Sequence, residues 1–292
     1  MKIINRKLSD TIVNRILLLL AGISVASVIL ITAFLVISGA PVLFKIGLKE
    51  FLLGTNWQPT ETPPSYGIFT FILASIYGTI GAIIIGVPIG LLVAVNIAKL
   101  APNRLANIFR PAINLLAGIP SVIYGLVGLT ILVPFIGKVF NLAIGTNLLS
   151  AIIVLSIMVL PTIVSVSETS IRAVPESYME ASLALGVSKE YTVFNVLVPA
   201  AKSGIMAAIL LGVGRALGEA MAVMMVSGNV PMMPSILGPV RFLTTGIVAE
   251  MSYADGAHRS VLIGIGLVLF VFIMIINSLF RYFIKKVGTE HE

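Results

Sequence analysis

Six runs of apolar residues, separated by shorter polar stretches, dominate the chain. They lie at approximately residues 16–38, 68–98, 112–136, 148–169, 204–228 and 260–283. Each run reaches or exceeds the ~20 residues that an α-helix needs to cross a bilayer. The runs lack strict alternation of apolar and polar positions, and they are too long for the ~9 to 11 residues of a barrel strand. The pattern therefore predicts an all-α integral membrane protein with six transmembrane helices.

The first run has some features of a secretory signal peptide, because Lys2, Arg6 and Lys7 precede it. Its apolar part is longer than the ~7 to 15 residues typical of a signal peptide, and Pro41 stands where cleavage would fall. We therefore expect a retained anchor helix.

Composition and charge support a membrane protein. The 292 residues are 58% hydrophobic and 11% charged, and their mean hydropathy is +1.09. Soluble domains carry about a quarter charged residues. If the N-terminus is inside, most of the 19 Lys and Arg residues fall in inner segments. This asymmetry predicts that both termini are cytoplasmic. The net charge of +7 is then explained by topology and anionic lipid, so we infer no nucleic-acid partner.

The segment at 39–67 is the predicted outer loop between the first two helices. It is rich in turn-forming residues, including Pro63 and Pro64. Its single Trp57 either lies at the level of the lipid headgroups or helps to dock an external partner. Since no internal repeat or low-complexity segment stands out, we predict one transmembrane domain over 1–292.

Several kinds of chemistry lack the residues that they need. His258 and His291 are the only histidines, and they fall on opposite sides of the predicted bilayer, so no histidine pair can bind a metal. Cysteine is absent, which excludes disulfides and thiol chemistry. The chain has no phosphate-binding loop of the form G-x-x-x-x-G-K-[ST]. We therefore predict no catalytic residue, no metal site and no bound cofactor in this chain, and any energy for transport must come from elsewhere.

Prolines interrupt three of the predicted helices. Pro88, Pro120 and Pro161 fall in the second, third and fourth spans, and each predicts a kink or a break with freed carbonyl groups. Ordinary kinked packing is one interpretation. The other is that Pro120, with Ser121 and Tyr124 beside it, marks a break that lines a transport pathway.

The longest predicted cytoplasmic connection is the loop at 172–203. It contains a short helical stripe of small or apolar residues at Tyr178, Ala181, Ser182 and Leu185. Gly186 then permits a chain reversal, and Ser188 can cap a second helix. The pattern predicts a helix-turn-helix against the inner face of the membrane.

Part of this loop, EASLALGVSKEYTVFNVLVP, resembles the EAA loop of importer-type ABC-transporter permeases. The matching positions are Glu180, Ala181, Ser182, Gly186 and Pro199. Ser182 stands where that family usually has a second alanine. The resemblance implies the importer-type permease fold, in which this loop couples to a separate cytoplasmic ATPase. It also implies that ATP and magnesium are bound by that partner and not by this chain.

Four further stretches resemble the phosphate-importer permeases called PstC-like, in the same order along the chain. They are NWQPTETPPSYG, LLAGIPSVIYGLVG, GRALGEAMAVMMVSGN and MSYADGAHRSVLIGIGLVLF. The resemblance implies a phosphate permease of the cell membrane that pairs with a PstA-like permease, an ATPase dimer and an extracytoplasmic phosphate-binding protein. The family usually has threonine where this chain has Ala220, which removes a hydroxyl group that phosphate could contact.

Arg215 and Glu219 are the charged residues inside the fifth apolar run. Arg215 would lie about 16 Å along a helix that begins near Gly204. A lone arginine at that depth costs at least about 2.5 to 3.5 kcal/mol, so it must face a partner or water. With i, i+4 spacing, the two residues could form an ion pair that only holds the bundle together. Alternatively, both lie on the phosphate path, where Arg215 would bind the anion and Glu219 would accept a hydrogen bond from a protonated phosphate oxygen.

Other functions remain open at this stage. The chain could import another oxyanion such as molybdate or sulfate, it could be a membrane-embedded enzyme acting on lipid phosphate, or it could be a structural or signalling subunit. His258 and Arg259 either attract the incoming anion or anchor the sixth helix at the outer surface. We expect Glu168, at the inner end of the fourth span, to be solvated or to cap a helix.

Overall fold

The computed structural model describes the backbone of residues 2–288 and the side chains of residues 13–102 and 104–282. Within these residues the regular secondary structure is helical apart from one short hairpin, and loops join the elements. Five helical segments are long and apolar enough to cross a membrane, and a bent pair of helices supplies a sixth span if it is counted as one. The predicted all-α membrane protein is confirmed.

Helix α1 and the hairpin that follows it form one end of the molecule. The elements here are α1 (Lys2–Ile46), α2 (Leu48–Leu53), β1 (Trp57–Gln58) and β2 (Ser65–Tyr66). The antiparallel strands place Trp57 opposite Tyr66. Because α1 continues through Pro41 to Ile46, the predicted outer loop at 39–67 starts later than expected. We call this the hairpin end of the molecule.

The C-terminal part of α1 packs against the last helix, α14 (Gly256–Gly288). Gly39 makes this contact close, since a Cβ atom there would lie 3.2 Å from the Ile263 carbonyl oxygen and 3.3 Å from the Gly264 Cα. From Val13 onward, most of the earlier side chains of α1 are exposed, including Leu18 and Leu30. In a membrane protein such a face is suited to contact with lipid.

The centre of the bundle is formed by α3 (Phe69–Val95), α7 (Leu148–Arg172) and α11 (Lys202–Gly218), with α3 packed along α7. Small residues allow this packing, because a Cβ atom at Gly86 or Gly90 would lie 2.8 Å from Val159 or Ile163. A π-helical turn at Asn96–Leu100 extends α3. Both α3 and α7 continue without a break through their prolines, Pro88 and Pro161.

The third predicted span, 112–136, is divided between two parts of the chain. The elements are α4 (Asn103–Gly118), α5 (Ser121–Val127), a π-helical turn (Gly128–Leu132) and α6 (Val133–Val139). Ile119 and Pro120 are extended and separate α4 from α5. Proline lacks an N–H group and disfavours helical backbone at the residue before it, so the break occurs where Pro120 predicted it. The membrane-spanning segment is therefore Ser121–Val139.

The loop at 172–203 forms the predicted helix-turn-helix at the opposite end from the hairpin. Its elements are α8 (Glu176–Ala184), α9 (Lys189–Thr192), a π-helical turn (Val193–Leu197) and α10 (Val198–Ala200). The segment Lys189–Ala200 meets α11 at an angle of 72°. We call this the α8 end of the molecule.

The fifth predicted span, 204–228, is also interrupted. Helix α11 ends at Gly218, Glu219 is extended, and α12 (Met221–Val226) follows. A loop then leads to α13 (Leu243–Glu250), which packs against α14. The expectation of one continuous helix is wrong, because the Glu219 carboxylate binds the first turn of α12 instead of remaining on α11.

Candidate functional site

Arg215 lies near the end of α11 and is partly buried. Its Nη1 atom donates a hydrogen bond to Thr162 Oγ1 on α7, over 3.2 Å. Thr162 is neutral, and none of the ion pairs among the described residues includes Arg215. The guanidinium charge is therefore not balanced by a carboxylate that touches it.

Glu219 lies just past the end of α11 with extended backbone, at φ −73° and ψ 129°. Its Oε1 atom accepts a hydrogen bond from the Ala222 N–H over 3.0 Å, and its carbonyl oxygen accepts one from Thr244 Oγ1 over 2.8 Å. N–H groups in the first helical turn lack partners within the helix, so a carboxylate is favoured there. The expected placement of Arg215 and Glu219 one turn apart on a single helix is wrong, and no ion pair joins them in the part of the chain that the structure describes.

The breaks at Pro120 and Glu219 lie next to each other in the fold. Helices α5 and α12, which begin after these breaks, pack so closely that a Cβ atom at Gly125 would lie 2.8 Å from the Ala222 Cα. Tyr124 on α5 donates its hydroxyl group to the Leu116 carbonyl oxygen across the break, over 2.7 Å.

The sequence-predicted break and the sequence-predicted charged pair are thus brought together from distant parts of the chain. Interrupted helices expose polar backbone inside a membrane only where protein or a wet cavity surrounds it. Ser121 is partly buried beside the break at Pro120, and its side chain has no hydrogen-bond partner among the described residues. The arrangement places one cation, one carboxylate and two interrupted helices in a single region.

A second charged cluster lies between α4 and α7, towards the α8 end, and the sequence did not predict it. Arg110 Nε donates to Glu168 Oε1 over 2.6 Å, and Arg172 Nη1 lies 3.5 Å from the same oxygen atom. Glu168 is buried, so the expectation that it is solvated or caps a helix is wrong. The i, i+4 spacing to Arg172 was visible in the sequence, but Arg110 comes from a helix 58 positions earlier.

The residues of the EAA-like loop divide into an inner and an outer set. Ser182 is buried, and its hydroxyl group is hydrogen-bonded to Thr192 Oγ1 over 2.9 Å. Gly186 has a φ of +79°, and the Ser188 hydroxyl accepts a hydrogen bond from the Tyr191 N–H over 3.3 Å. The predicted reversal and the predicted helix cap are both confirmed.

The outer set of this loop faces away from the rest of the chain. Glu180, Ala181 and Pro199 are exposed. Two large side chains of the predicted stripe are exposed as well, since Tyr178 is 51% and Leu185 83% accessible. Three of the four stripe residues, Tyr178, Ala181 and Leu185, are therefore exposed and available to another protein, whereas Ser182 packs inside the loop.

A third cluster lies at the hairpin end and is closed. The Glu250 carboxylate accepts hydrogen bonds from Trp57 Nε1 at 3.1 and 3.2 Å, contacts His258 Nε2 at 2.7 Å, and forms an ion pair with Arg241. The guanidinium of Arg241 also lies 5.7 Å from the centre of the Phe71 ring. Trp57 is therefore buried within the protein, and its ring is not exposed to lipid headgroups or to an external partner.

His258 belongs to this closed cluster and is neither a free anion attractor nor a surface anchor, whereas Arg259 is exposed. Sequence reasoning missed Arg241 and Glu250, and no local spacing links them to Trp57. Among the residues that the structure describes, no group of three or more His, Cys, Asp or Glu side chains could hold a metal ion.

Comparisons with known proteins identify the family of the chain. Residues 86–289 match the family model described as "Binding-protein-dependent transport system inner membrane component". The chain is 40% identical over 283 residues to the "Probable ABC transporter permease protein YqgH" of Bacillus subtilis, with 95% of this chain and 92% of that protein covered. It is 34% identical over 297 residues to the "Phosphate transport system permease protein PstC" of Xylella fastidiosa, with coverages of 94% and 90%.

Solved structures show the same fold. A chain of the MetNI methionine ABC transporter in an inward-facing conformation matches with a TM-score of 0.57 and 21% identity, covering 76% of this chain and 94% of that one. A chain of an amino acid ABC transporter matches with a TM-score of 0.54 and 18% identity, with coverages of 75% and 92%. Since the family model, the sequence relatives and the fold agree, the chain belongs to the inner membrane components of binding-protein-dependent transport systems, the multi-pass permeases of ABC importers.

Proposed function

We propose that this permease imports inorganic phosphate and that Arg215 binds the anion on its way across the membrane. The observation that carries the proposal is that Arg215 lies among interrupted helices with a neutral hydrogen-bonding partner, Thr162. Relatives that are 34% identical over most of the chain carry the name of phosphate transport permeases, which supports phosphate as the cargo.

The position of Arg215 gives the physical argument. It lies 13 residues after Lys202, which corresponds to about 20 Å along α11. An arginine inside a membrane is costly unless it faces water or a partner. A guanidinium group has five N–H donors in a planar fork that fits the oxygens of phosphate. One of these donors is used by Thr162, so the others are available to a passing anion.

Glu219 supplies the proposed selectivity. Its carboxylate is held at the start of α12 by the Ala222 N–H, next to the break that follows Arg215. A carboxylate accepts a hydrogen bond from a protonated phosphate oxygen, whereas it repels sulfate, which carries no proton near neutral pH. The pair of residues would therefore bind phosphate and disfavour a fully ionised oxyanion.

The loop at the α8 end is proposed to contact the ATPase. The exposed side chains of Tyr178 and Leu185 provide an apolar surface, and Glu180 provides a charge beside it. In this arrangement the α8 end and both termini are cytoplasmic, and the hairpin end faces outward. ATP and magnesium are bound by two ATPase copies, a PstA-like permease completes the path, and a phosphate-binding protein delivers the cargo.

The test measures uptake of labelled phosphate by the assembled complex in proteoliposomes. A hydrogen bond to a charged group contributes about 1.5 to 3 kcal/mol, so Arg215→Gln should lower uptake about 10- to 100-fold. Arg104→Gln, which removes an exposed arginine of α4 outside this region, should leave uptake unchanged.

Competition distinguishes the other candidate cargoes. Unlabelled phosphate should suppress uptake, while equal concentrations of sulfate and molybdate should not. Wild-type uptake by Arg215→Gln, or stronger competition by molybdate or sulfate, would contradict the proposal. Phosphate release from lipid by the purified chain would instead favour an enzyme.

A further inference from the structure

A polar cavity of about 340 Å³ lies between α4 and α7, towards the α8 end of the molecule. Its polar lining consists of Arg110, Asn114, Ser165, Glu168, Thr169 and Arg172. It is separate from the region around Arg215 and includes none of the residues predicted from the sequence as site residues.

The charges of this cavity are not balanced. Two guanidinium groups, those of Arg110 and Arg172, share the single carboxylate of Glu168. The Glu168 side chain is 12% exposed, whereas Arg110 is 32% and Arg172 50% exposed. The acid is therefore enclosed while both arginines reach the open part of the cavity, which leaves a net positive charge there.

Hydrogen-bond donors are also left over. Arg110 uses Nε for Glu168 and Nη2 for the Ile97 carbonyl oxygen at 3.4 Å, and Arg172 uses only Nη1. Within the described part of the chain, no protein acceptor is found for the remaining guanidinium N–H groups. The side chains of Asn114 and Ser165 likewise have no protein partner among the described residues, so several donors that line the cavity are available to a ligand.

The cavity and the partner of Arg215, Thr162, lie along one face of α7. Thr162, Ser165 and Thr169 follow each other at i, i+3 and i+7, so they share that face. All three are at least partly exposed. Thr162 holds Arg215, and Glu168 lies six residues further on, which corresponds to about 9 Å along the helix. A polar stripe on this face thus runs between the region of Arg215 and the cavity.

We propose that Arg110 and Arg172, with Ser165, Thr169 and Asn114, form a second binding site for a phosphate-class oxyanion at the α8 end of the path. If this oxyanion is the transported cargo, the inference rests on the proposed function. The same chemistry also fits the phosphate of an anionic lipid headgroup, since this end of α7 would lie near the inner leaflet.

Glu168 sets the net charge of the site and holds one of its two arginines in place. It neutralises one of the two guanidinium groups, so an anion is attracted by a net single charge and not by two. A transport path requires binding that is weak enough for release. The buried carboxylate also holds Arg110 in place, whereas Arg172 has only a long contact with it and is free to turn towards an anion.

The experiment uses the assembled complex in nanodiscs and compares Arg172→Gln with the matched control Arg104→Gln. In the first arm the nanodiscs contain only phosphatidylcholine, and inorganic phosphate is titrated and followed by ³¹P line broadening. Both variants are made in an Arg215→Gln background, so that binding at Arg215 does not contribute. Phosphate bound by the ATPase subunits is common to both and cancels in the comparison.

In the second arm one quarter of the lipid is phosphatidylglycerol, and native mass spectrometry counts the phosphatidylglycerol molecules that stay bound. If the site takes free phosphate, Arg172→Gln weakens phosphate binding about tenfold relative to the control. If it takes a headgroup, the variant retains fewer phosphatidylglycerol molecules. A loss of phosphate affinity or of bound phosphatidylglycerol supports the site and identifies its ligand. If Arg172→Gln binds both as well as Arg104→Gln does, the proposed site is overturned.

Two controls show whether a loss of binding has another cause, such as a failure of the complex to assemble. Copurification of the ATPase and its rate of ATP hydrolysis show whether Arg172→Gln still assembles and couples. Arg172→Lys, which keeps the charge but loses the planar fork, should restore part of the binding. Normal phosphate uptake by Arg215→Gln would refute the proposed function without affecting either arm.

Discussion

The cluster at the hairpin end and the region around Arg215 both place charges inside the protein. They differ in whether each charge has an oppositely charged partner. At the hairpin end, Glu250 is 4% exposed and meets Arg241, His258 and Trp57, so each charge has its partner within the chain. Arg215 meets only a neutral hydroxyl group. The comparison suggests that a closed cluster stabilises the fold, whereas an unbalanced charge marks a place for a ligand.

We expect the largest loss of stability for Glu250→Leu. This change leaves Arg241 buried without its carboxylate, and breaking a buried ion pair costs about 3 to 5 kcal/mol. Because the cluster joins the hairpin, α13 and α14, we expect a marked fall in the thermal midpoint and in the yield of purified complex. An unchanged midpoint would mean that the cluster does not stabilise the fold.

Arg215→Gln should show the opposite behaviour in the same thermal measurement. Gln is uncharged at membrane depth and can still hydrogen-bond to Thr162, so the variant should be at least as stable as the original protein. It should nevertheless lose phosphate uptake. A lower midpoint together with lost uptake would show that Arg215 serves the fold, and the contrast between the two regions would disappear.

Trp57→Phe tests the closed cluster more gently. The phenyl ring keeps much of the packing against Phe71 but loses the Nε1 donor to Glu250. A hydrogen bond to a charged group contributes about 1.5 to 3 kcal/mol, so the expected loss is clearly smaller than for Glu250→Leu. Denaturation followed by intrinsic tyrosine fluorescence would measure it, and a loss equal to that of Glu250→Leu would contradict this ranking.

Arg259→Gln should have the smallest effect. Arg259 is exposed next to His258 but lies outside the hydrogen bonds of the cluster, and surface changes usually alter stability by less than about 0.5 kcal/mol. Uptake at physiological salt should also stay within about twofold, because exposed charges are screened over about 8 Å. A large loss of uptake would restore the alternative in which Arg259 attracts the incoming anion.

The parts of the fold that the sequence predicted depend on local physics. Long apolar runs indicate membrane helices, Pro120 removes a backbone donor and breaks its helix, and Gly186 and Ser188 form a turn and a cap within four residues. The second break was missed because Gly218 and Glu219 stand in an apolar run that favours helix throughout. Only the fold shows that the carboxylate has Ala222 and Thr244 beside it.

The charged clusters depend on contacts between distant residues, which a single sequence does not encode in any spacing. Arg110 and Glu168 are 58 residues apart, and Trp57 and Glu250 are 193 apart. The composition indicated that charges are few, and the depth of Arg215 could be estimated along its helix. Whether a given charge is paired could not be predicted, because that depends on which helices become neighbours.

Helix α11 is interrupted at both ends, at Ala201, where the preceding segment meets it at 72°, and at Glu219, where extended backbone stops it. It therefore resembles a rigid rod between two hinges, with its guanidinium close to the far hinge. Tilting the rod by one degree about the near hinge displaces the Arg215 backbone by about 0.3 Å, given the rise per residue of a helix. A small push delivered at the α8 end would then swing the cation sideways, without any need to unwind the helix that carries it.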